Sequence, residues 1–187
     1  WKHESVRFLD LSSNVGLEIP SQKDSIYLPK LQYMHVGNNS VLIPPTLGVE
    51  QFPKLKFMYL NGNRFVDGKL PDSFQELISS LLKLGVGRCG LHNLGKQFKW
   101  DESSLKYLDA RENKLFNVSS SLENQIAKKK MENYFALNPV CNGEKTLPLN
   151  CKALCSPYCW SEYSEGNSIC DITCNSEICD YDGGDCL

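Results

Sequence analysis

The chain has 187 residues, of which 41% are hydrophobic, a composition typical of a globular protein and unlike that of a disordered one. Its net charge of −2 is unevenly distributed: residues 1–150 carry 19 basic and 15 acidic residues, whereas residues 151–187 carry one basic and seven acidic residues. The weak basic excess of the first part argues against nucleic-acid binding, and no apolar run reaches the roughly 20 residues of a membrane-spanning helix.

Residues 6–138 repeat one pattern of apolar residues. Five segments read apolar-x-x-apolar-x-apolar-x-x-Asn/Cys, 24 to 26 residues apart, and we number these positions 1 to 9. The segments are Val6–Asn14, Leu31–Asn39, Leu55–Asn63, Leu81–Cys89 and Leu105–Asn113, and a shorter sixth match starts at Met131. The pattern resembles the leucine-rich repeat, and the Ile-Pro or Leu-Pro pairs after the first three segments resemble its plant-type subclass. The resemblance implies an α/β solenoid with a parallel concave sheet over residues 1–130.

Alternation along each short strand predicts which side chains enter the core. Positions 4 and 6 point inward, and positions 3, 5 and 7 point outward onto the concave face. The asparagines at position 9 turn inward, where they can satisfy backbone groups at the bend, so we predict a structural role for them. Cys89 occupies position 9 of the fourth segment. Because no signature of a cysteine hydrolase surrounds it, we predict a buried structural thiol rather than a nucleophile.

Aromatic residues recur at the outward positions, which indicates a binding surface on the concave face. The residues that we predict to contact a ligand are Phe8, Tyr33, His35, Phe57, Tyr59, Tyr107 and Phe135. The alternative is that these rings only stabilise the sheet by stacking across neighbouring strands. No nucleophile, general base and oxyanion donor occur together in the sequence, so we predict that the chain is not an enzyme.

Two Asn-x-Ser sequons lie within the repeats. Asn38-Asn39-Ser40 begins at position 8 of the second repeat, just outside the concave strand, and Asn117-Val118-Ser119 lies in a loop of the fifth. We predict that Asn38 and Asn117 are accessible and carry N-linked glycans if the protein passes through a eukaryotic secretory pathway.

Eight of the nine cysteines follow residue 140, a density typical of disulfide bonds in a secreted module that is too small to build a core. A zinc cluster is the alternative, but it favours Cys-x2-Cys pairs, which this region lacks. The ending Asn138-Pro139-x-Cys141 resembles the C-terminal closure of extracellular leucine-rich repeat domains, and we assign residues 131–152 to this cap. The most economical partner for Cys141 is Cys151, across a short loop.

The other six cysteines lie among short motifs with asparagine, glycine and aspartate. In chain order these motifs are Gly166-Asn167, Cys174-Asn175 and Asp182-Gly183-Gly184-Asp185-Cys186. They resemble the Lin-12/Notch repeat, which we assign to residues 153–187. The spacing alone leaves the disulfide pairing open. The resemblance implies a small calcium-binding module with little secondary structure and the disulfides Cys155–Cys179, Cys159–Cys174 and Cys170–Cys186.

A Ca²⁺ site is predicted in the same module. Asp182 and Asp185 flank two glycines, which let the backbone turn tightly so that both carboxylates can converge on a hard cation. The resemblance adds the side-chain oxygen of Asn167 and a carbonyl oxygen near Ile169 to the ligand set. The alternative is a glycine turn whose acidic residues serve only solubility.

These features predict a secreted or cell-surface protein with an interaction or scaffolding role. We expect protein partners, including a second copy packed head to tail, and no nucleic acid. The chain begins almost inside the first repeat, so we expect the apolar surface around Val6, Phe8 and Leu9 to be covered by upstream residues or by a neighbouring molecule. The alternative is the ectodomain of a receptor, or a secreted inhibitor, that recognises a protein or glycan on the concave face.

Overall fold

The structure is a computed structural model that divides into two compact units, Trp1–Cys151 and Lys152–Leu187. The residues that it describes are 1–14, 16–129, 131–142, 148–151, 169, 170, 172, 175, 181 and 184–186. Each unit is described by itself below.

The first unit contains the predicted parallel sheet, which is therefore confirmed. In chain order its strands are β1 (Phe8–Asp10), β2 (Tyr33–His35), β3 (Leu42–Ile43), β4 (Phe57–Tyr59), β5 (Arg64–Phe65), β6 (Lys83–Gly85), β7 (Tyr107–Asp109) and β8 (Glu132–Tyr134). The six three-residue strands form one parallel sheet in the order β1-β2-β4-β6-β7-β8, and β3 pairs with β5 in a second sheet. In the large sheet, position 3 of each repeat pairs with position 3 of the next.

The core of the first unit follows the alternation of the strands. At position 4, Met34, Met58, Leu84 and Leu108 have no exposed surface. Position 6, which follows each strand, is equally buried in repeats 2 to 5. Since a single repeat cannot bury its own apolar face, the stacked repeats share one continuous core.

Helices lie on the return segments between the strands. Helix α1 (Phe74–Ser80) buries Phe74, Leu77 and Ile78, which fall on one face because three and four residues make about one helical turn. Helix α2 (Ser120–Lys129) begins after Ser119, whose hydroxyl accepts a hydrogen bond from the Leu122 N–H. Short 3-10 helices cover Lys23–Ser25, Val66–Gly68, Trp100–Glu102 and Pro139–Asn142. In the described part of the chain, no helix is long and apolar enough to cross a membrane.

The asparagines at position 9 link successive repeats through their side chains. The Asn63 amide donates to the carbonyl oxygens of Val36 in the preceding repeat and Leu60 in its own, at 2.7 and 3.0 Å. The equivalent donors are Asn39, Asn113 and Asn138. The amide oxygens accept backbone N–H groups of the preceding repeat, as Asn63 does from Val41. We call these four residues, Asn39, Asn63, Asn113 and Asn138, the asparagine ladder, and their role is structural.

The sixth repeat stands one residue earlier than we predicted. Strand β8 pairs Glu132 with Tyr107, so Glu132 is at position 3, Tyr134 at position 5 and Met131 at position 2. Phe135 therefore occupies the inward position 6 and is fully buried. The prediction that Phe135 contacts a ligand on the concave face is wrong, because the apolar Met131 was taken as position 1.

The residues that follow β8 close the end of the core. Cys141 and Cys151 form a disulfide whose Cα atoms are 5.6 Å apart, and these are the two cysteines that the sequence analysis paired. The Phe135 N–H donates to the Asn150 carbonyl at 2.8 Å, and the Asn150 N–H donates to Asn133 Oδ1 at 2.7 Å. This segment thereby satisfies backbone and side-chain groups at the last strand, as a cap must.

In the second unit, the described residues include one disulfide, Cys170–Cys186, with Cα atoms 4.7 Å apart. The Lin-12/Notch resemblance implied this pairing. The Cys186 N–H donates to the Tyr181 carbonyl at 3.1 Å. The other two pairings, Cys155–Cys179 and Cys159–Cys174, lie outside the described residues.

Candidate binding face

The first three repeats present aromatic rings at position 3. Phe8 and Tyr33 stack in parallel, with centroids 4.2 Å apart and an angle of 6° between the rings, and Tyr33 lies 6.4 Å from Phe57. The rings meet because the sheet register places these residues side by side on neighbouring strands. Phe8 is 62% exposed, and Tyr33 and Phe57 are half-buried.

Position 5 adds a second column beside the first. His35 packs edge-on against Tyr59 at 5.7 Å, and Tyr59 also lies 5.6 Å from Tyr33. Gly37 leaves room for the imidazole, since a Cβ atom there would lie 2.9 Å from His35 Nε2. We call these five residues the aromatic face: Phe8, Tyr33, His35, Phe57 and Tyr59.

Asp10 borders the aromatic face at position 5 of the first repeat. Its carboxylate accepts hydrogen bonds from the Ser12 N–H and hydroxyl at 2.9 and 2.7 Å and lies 3.5 Å from His35 Nδ1. The Ser12 backbone bond, followed by the Ser12 hydroxyl and His35, lowers the pKa of Asp10 despite its partial burial. Asp10 is therefore an ionised acceptor whose hydrogen bonds are already made within the protein.

The later repeats have a different concave face, which we call the polar half: Lys83, Tyr107, Asp109, Arg111 and Tyr134. Tyr107 is only 5% exposed, because the Lys83 ammonium lies 5.1 Å above its ring and Tyr134 lies 5.6 Å away. The prediction that Tyr107 contacts a ligand is therefore wrong: its neighbours cover it, although position 3 points outward.

A buried ion pair organises the polar half. The Arg111 guanidinium donates from Nε and Nη2 to the two Asp109 oxygens, both at 2.8 Å. Burial opposes the charge of Arg111, but the hydrogen bonds and attraction from Asp109 outweigh it and raise the pKa of the guanidinium. The Arg111 guanidinium also lies 5.2 Å from the Tyr134 ring. The pair is thus a fixed part of the fold, held on both sides.

Asn61 connects the aromatic face to this ion pair. Its amide donates to Asp109 Oδ2 at 2.9 Å. Gly85 leaves space for this side chain, since a Cβ atom added there would clash with Asn61 Oδ1 and lie 2.9 Å from Tyr59 Cδ1. Asn61 and Arg111 were not predicted as site residues, because the candidates were drawn from positions 3 and 5 and not from position 7. Glycine at position 5 of a single repeat, Gly85, was the available signal, since it leaves space for side chains from both neighbours.

The predicted glycosylation sites are both exposed. Asn38 has a φ of 58°, and its N–H donates to the Asn61 carbonyl at 2.7 Å, so the side chain stands at the turn after β2. Asn117 precedes helix α2, where Ser119 of the same sequon caps the helix. The accessibility that we predicted is present, and the occupancy of the sites stays a prediction.

Cys89 replaces asparagine in the ladder and has no feature of a nucleophile. Its thiol lies 3.4 Å from the carbonyl oxygen of Leu60 and 3.3 Å from that of Gly87, and the residue is 4% exposed. Burial raises the pKa of the Cys89 thiol to about 12, so the reactive thiolate is absent at neutral pH. The environment supports the structural role that the sequence predicts.

The predicted calcium ligands fall in the second unit. Asn167 and Asp182 lie outside the described residues, whereas Ile169 and Asp185 directly precede the bridged Cys170 and Cys186. Gly184 has a φ of 98°, a conformation suited to glycine, as expected for the turn between the aspartates. Among the described residues, which include Ile169 and Asp185 but not Asn167 or Asp182, no group of three or more His, Cys, Asp or Glu side chains could hold a metal.

Comparison with protein-family models finds two matches. Residues 54–77 match the leucine-rich repeat, and residues 149–187 match the LNR domain of Notch. Both resemblances drawn from the sequence are thereby confirmed. No curated protein and no solved structure matches the chain.

Proposed function

Since the chain carries leucine-rich repeats and a C-terminal LNR domain, we propose that it is a non-enzymatic, extracellular protein-binding module. Both domains are interaction domains, and the disulfide bonds are typical of an extracellular location. We place the binding surface on the aromatic face. The proposal includes a location outside the cell, either secreted or at the cell surface.

The observation that carries this proposal is the exposure of a row of packed rings. Aromatic side chains supply much of the energy of protein interfaces, and the 62% exposed Phe8 extends a row whose other members are half-buried. Stacking alone would stabilise the sheet, but it would not require the row to stay open. In the polar half the same outward position is covered by neighbouring side chains.

The geometry of the rings favours a protein over a glycan. A sugar stacks on the open face of an aromatic ring, whereas Tyr33 has one face against Phe8 and further contacts with Tyr59 and Phe57. Tyr33, at the centre of the row, therefore presents its ring edge more than an open face. Apolar side chains of a protein pack well against such edges.

Photo-crosslinking tests the location of the surface. A photoreactive amino acid at Tyr33 should crosslink to a protein in native extracellular material, identified by mass spectrometry. The matched control is the same group at Phe116, which is 74% exposed but lies outside the concave strands. Protein crosslinks at Phe116 and none at Tyr33 would contradict the proposal.

A second copy of the chain is a partner that one observation favours. Strand β1 lies at the edge of the large sheet and carries the exposed Phe8. An edge strand presents backbone groups that another strand can pair with, and head-to-tail packing of repeats would extend the core. Sedimentation over a range of concentrations should then show self-association that weakens in the Phe8→Asp variant.

We also propose that Ca²⁺ stabilises the LNR domain. Ile169 and Asp185 directly precede the bridged Cys170 and Cys186, which supports a carbonyl and a carboxylate ligand from these two residues, and Asn167 and Asp182 would complete the set. Bound Ca²⁺ would neutralise the carboxylates and hold the turn around Gly184. Because metal bound only to the folded form adds stability, chelation should increase hydrogen exchange at 169–186 and leave residues 1–151 unchanged. Equal exchange with calcium and with chelator would refute this site.

A further inference from the structure

The edge of the sheet that precedes the strands is basic beside the aromatic face. Positions −1 to 2 of the first three repeats, residues 4–7, 29–32 and 53–56, contain four basic residues and one acidic residue, Glu4. We call the basic ones the basic edge: Arg7, Lys30, Lys54 and Lys56. All four side chains are exposed.

The register of the sheet aligns the basic edge with the aromatic face. Arg7 directly precedes Phe8, and Lys56 directly precedes Phe57, on strands that are separated only by β2. Neighbouring strands are about 4.8 Å apart, so the residues of the basic edge follow one another along the end of the sheet where β1, β2 and β4 begin. Lys56 Nζ donates to the Ser80 carbonyl at 3.0 Å, which keeps that ammonium at the edge.

The basic edge lies opposite an uncharged edge in the first three repeats, although lysines also precede the strands of the later repeats, at residues 106 and 128–130. Past the carboxyl ends of the same strands, residues 11–14, 36–39 and 60–63 contain no charged side chain. Residues 79–82 of the fourth repeat are uncharged as well. Basic residues and exposed aromatic rings therefore occur together in the first three repeats, where a ligand on the rings can also reach the cations.

The predicted glycans leave this edge open. Asn38 stands at position 8, past the carboxyl end of β2, and Asn117 follows position 9 of the fifth repeat. The basic edge precedes the strands, on the opposite side of the sheet. A glycan at Asn38 would thus border the uncharged edge, and Asn117 lies in the fifth repeat, outside the three repeats of the basic edge.

We propose that the aromatic face and the basic edge together bind an acidic peptide segment of a partner protein, with its apolar side chains on the rings and its carboxylates along the cations. The inference rests on the proposed function and adds the chemistry of the ligand. A peptide fits better than an anionic polysaccharide, because Tyr33, at the centre of the face, packs against Phe8 and Tyr59 and leaves an edge that suits apolar side chains. Charge complementarity of this kind sets specificity and the association rate.

Selection from a random peptide library on the immobilised full chain tests the proposal. The enriched peptides should combine net negative charge with apolar residues, and their affinity should fall as salt increases. The double variant Lys54→Glu/Lys56→Glu should weaken them by about tenfold or more. The matched control is Lys69→Glu/Lys96→Glu, two exposed lysines away from this edge, which should leave affinity unchanged.

The outcomes separate this inference from the function on which it rests. Enriched peptides that are neutral or basic, lose affinity in Tyr33→Ala and ignore the lysine reversal would overturn the acidic ligand but support the aromatic face. Peptides that ignore Tyr33→Ala, or no enrichment at all, would contradict both. Retention on heparin that the lysine reversal abolishes, without peptide enrichment, would overturn the peptide in favour of an anionic polysaccharide. Unchanged hydrogen exchange verifies that each variant folds.

Discussion

The two halves of the large sheet share one backbone register, but they differ in how far their outward side chains are exposed. In the aromatic face, Phe8 and Tyr33 stack and remain open to solvent. In the polar half, Tyr107 and Asp109 occupy the same positions 3 and 5 and are 5% and 1% exposed. The difference shows that strand alternation decides only whether a side chain points inward or outward. Exposure depends on whether neighbours at positions 3, 5 and 7 are long enough to close over the site.

The ion pair of the polar half offers the largest test of this contrast. Asp109→Ala leaves the Arg111 guanidinium buried without its carboxylate, so the free energy of unfolding should fall by about 3–5 kcal/mol. Urea unfolding measures it. The matched change in the other half, Asp10→Ala, should cost less than about 1 kcal/mol, because that carboxylate is exposed. Similar losses for both aspartates would remove the distinction between the halves.

Two tyrosines at position 3 should differ in the same sense. Tyr107→Ala removes a buried ring beneath Lys83 and should destabilise by about 3 kcal/mol, whereas the half-buried Tyr33→Ala should cost about 1 kcal/mol. Ligand binding should respond in the opposite order, with Tyr33 the more sensitive. Thermal unfolding and peptide binding of the two variants would show this crossover, and a common order in both measurements would argue against it.

Gly85 tests how the halves are joined. In Gly85→Ala the new Cβ meets Asn61 Oδ1 and Tyr59 Cδ1, so the bridge from Asn61 to Asp109 must shift, and we expect a loss of about 1–3 kcal/mol. Gly48→Ala is the control, since its Cβ would have ordinary contacts of 3.6 Å or more. Comparable stability of the two alanine variants would show that the bridge adjusts without cost.

The smallest expected effect is the acid response of the aromatic face. The folded pKa of Asp10 lies below its ordinary value of 3.8, so its contribution is present above that pH and is lost as pH falls through the lowered pKa. Because the side chain is 43% exposed, the contribution should stay under about 1 kcal/mol. Asp10→Asn should destabilise more at pH 7 than at pH 3. Equal destabilisation at both values would show that the ionised carboxylate contributes nothing.

The repeat period fixed most of the fold in advance, because apolar spacing and strand alternation are written directly in the sequence. The parallel sheet, the asparagine ladder and the buried Cys89 all follow from it. The predicted register of the sixth repeat was wrong because residue 130 is a lysine where position 1 is usually apolar, which moved the alignment to Met131. The burial of Tyr107 was not predicted for another reason. It depends on contacts between repeats, which the sequence of a single repeat does not show.

The candidate site was predictable in part for the same physical reason. Phe8, Tyr33, His35, Phe57 and Tyr59 were identified from outward positions, and the structure brings them into one packed group. Asn61 was missed because its partner lies two repeats away, and Arg111 was missed because the sequence of one repeat does not show that its pair with Asp109 is buried. The Asn61–Asp109 bond joins residues 48 apart in sequence, a distance that only the stacked sheet closes.

Cys89 also bears on how the chain unfolds. The amide oxygens of Asn63 and Asn113 each accept N–H groups of the preceding repeat, but the Cys89 sulfur is a weaker acceptor than an amide oxygen. The side-chain link between the third and fourth repeats is thus the weakest link of the asparagine ladder. In a repeat array, cooperativity is the sum of coupling between neighbours, so we expect partial unfolding to divide there. That division would fall where the aromatic face gives way to the polar half, and the Asn61–Asp109 bond would have to break for the two to separate.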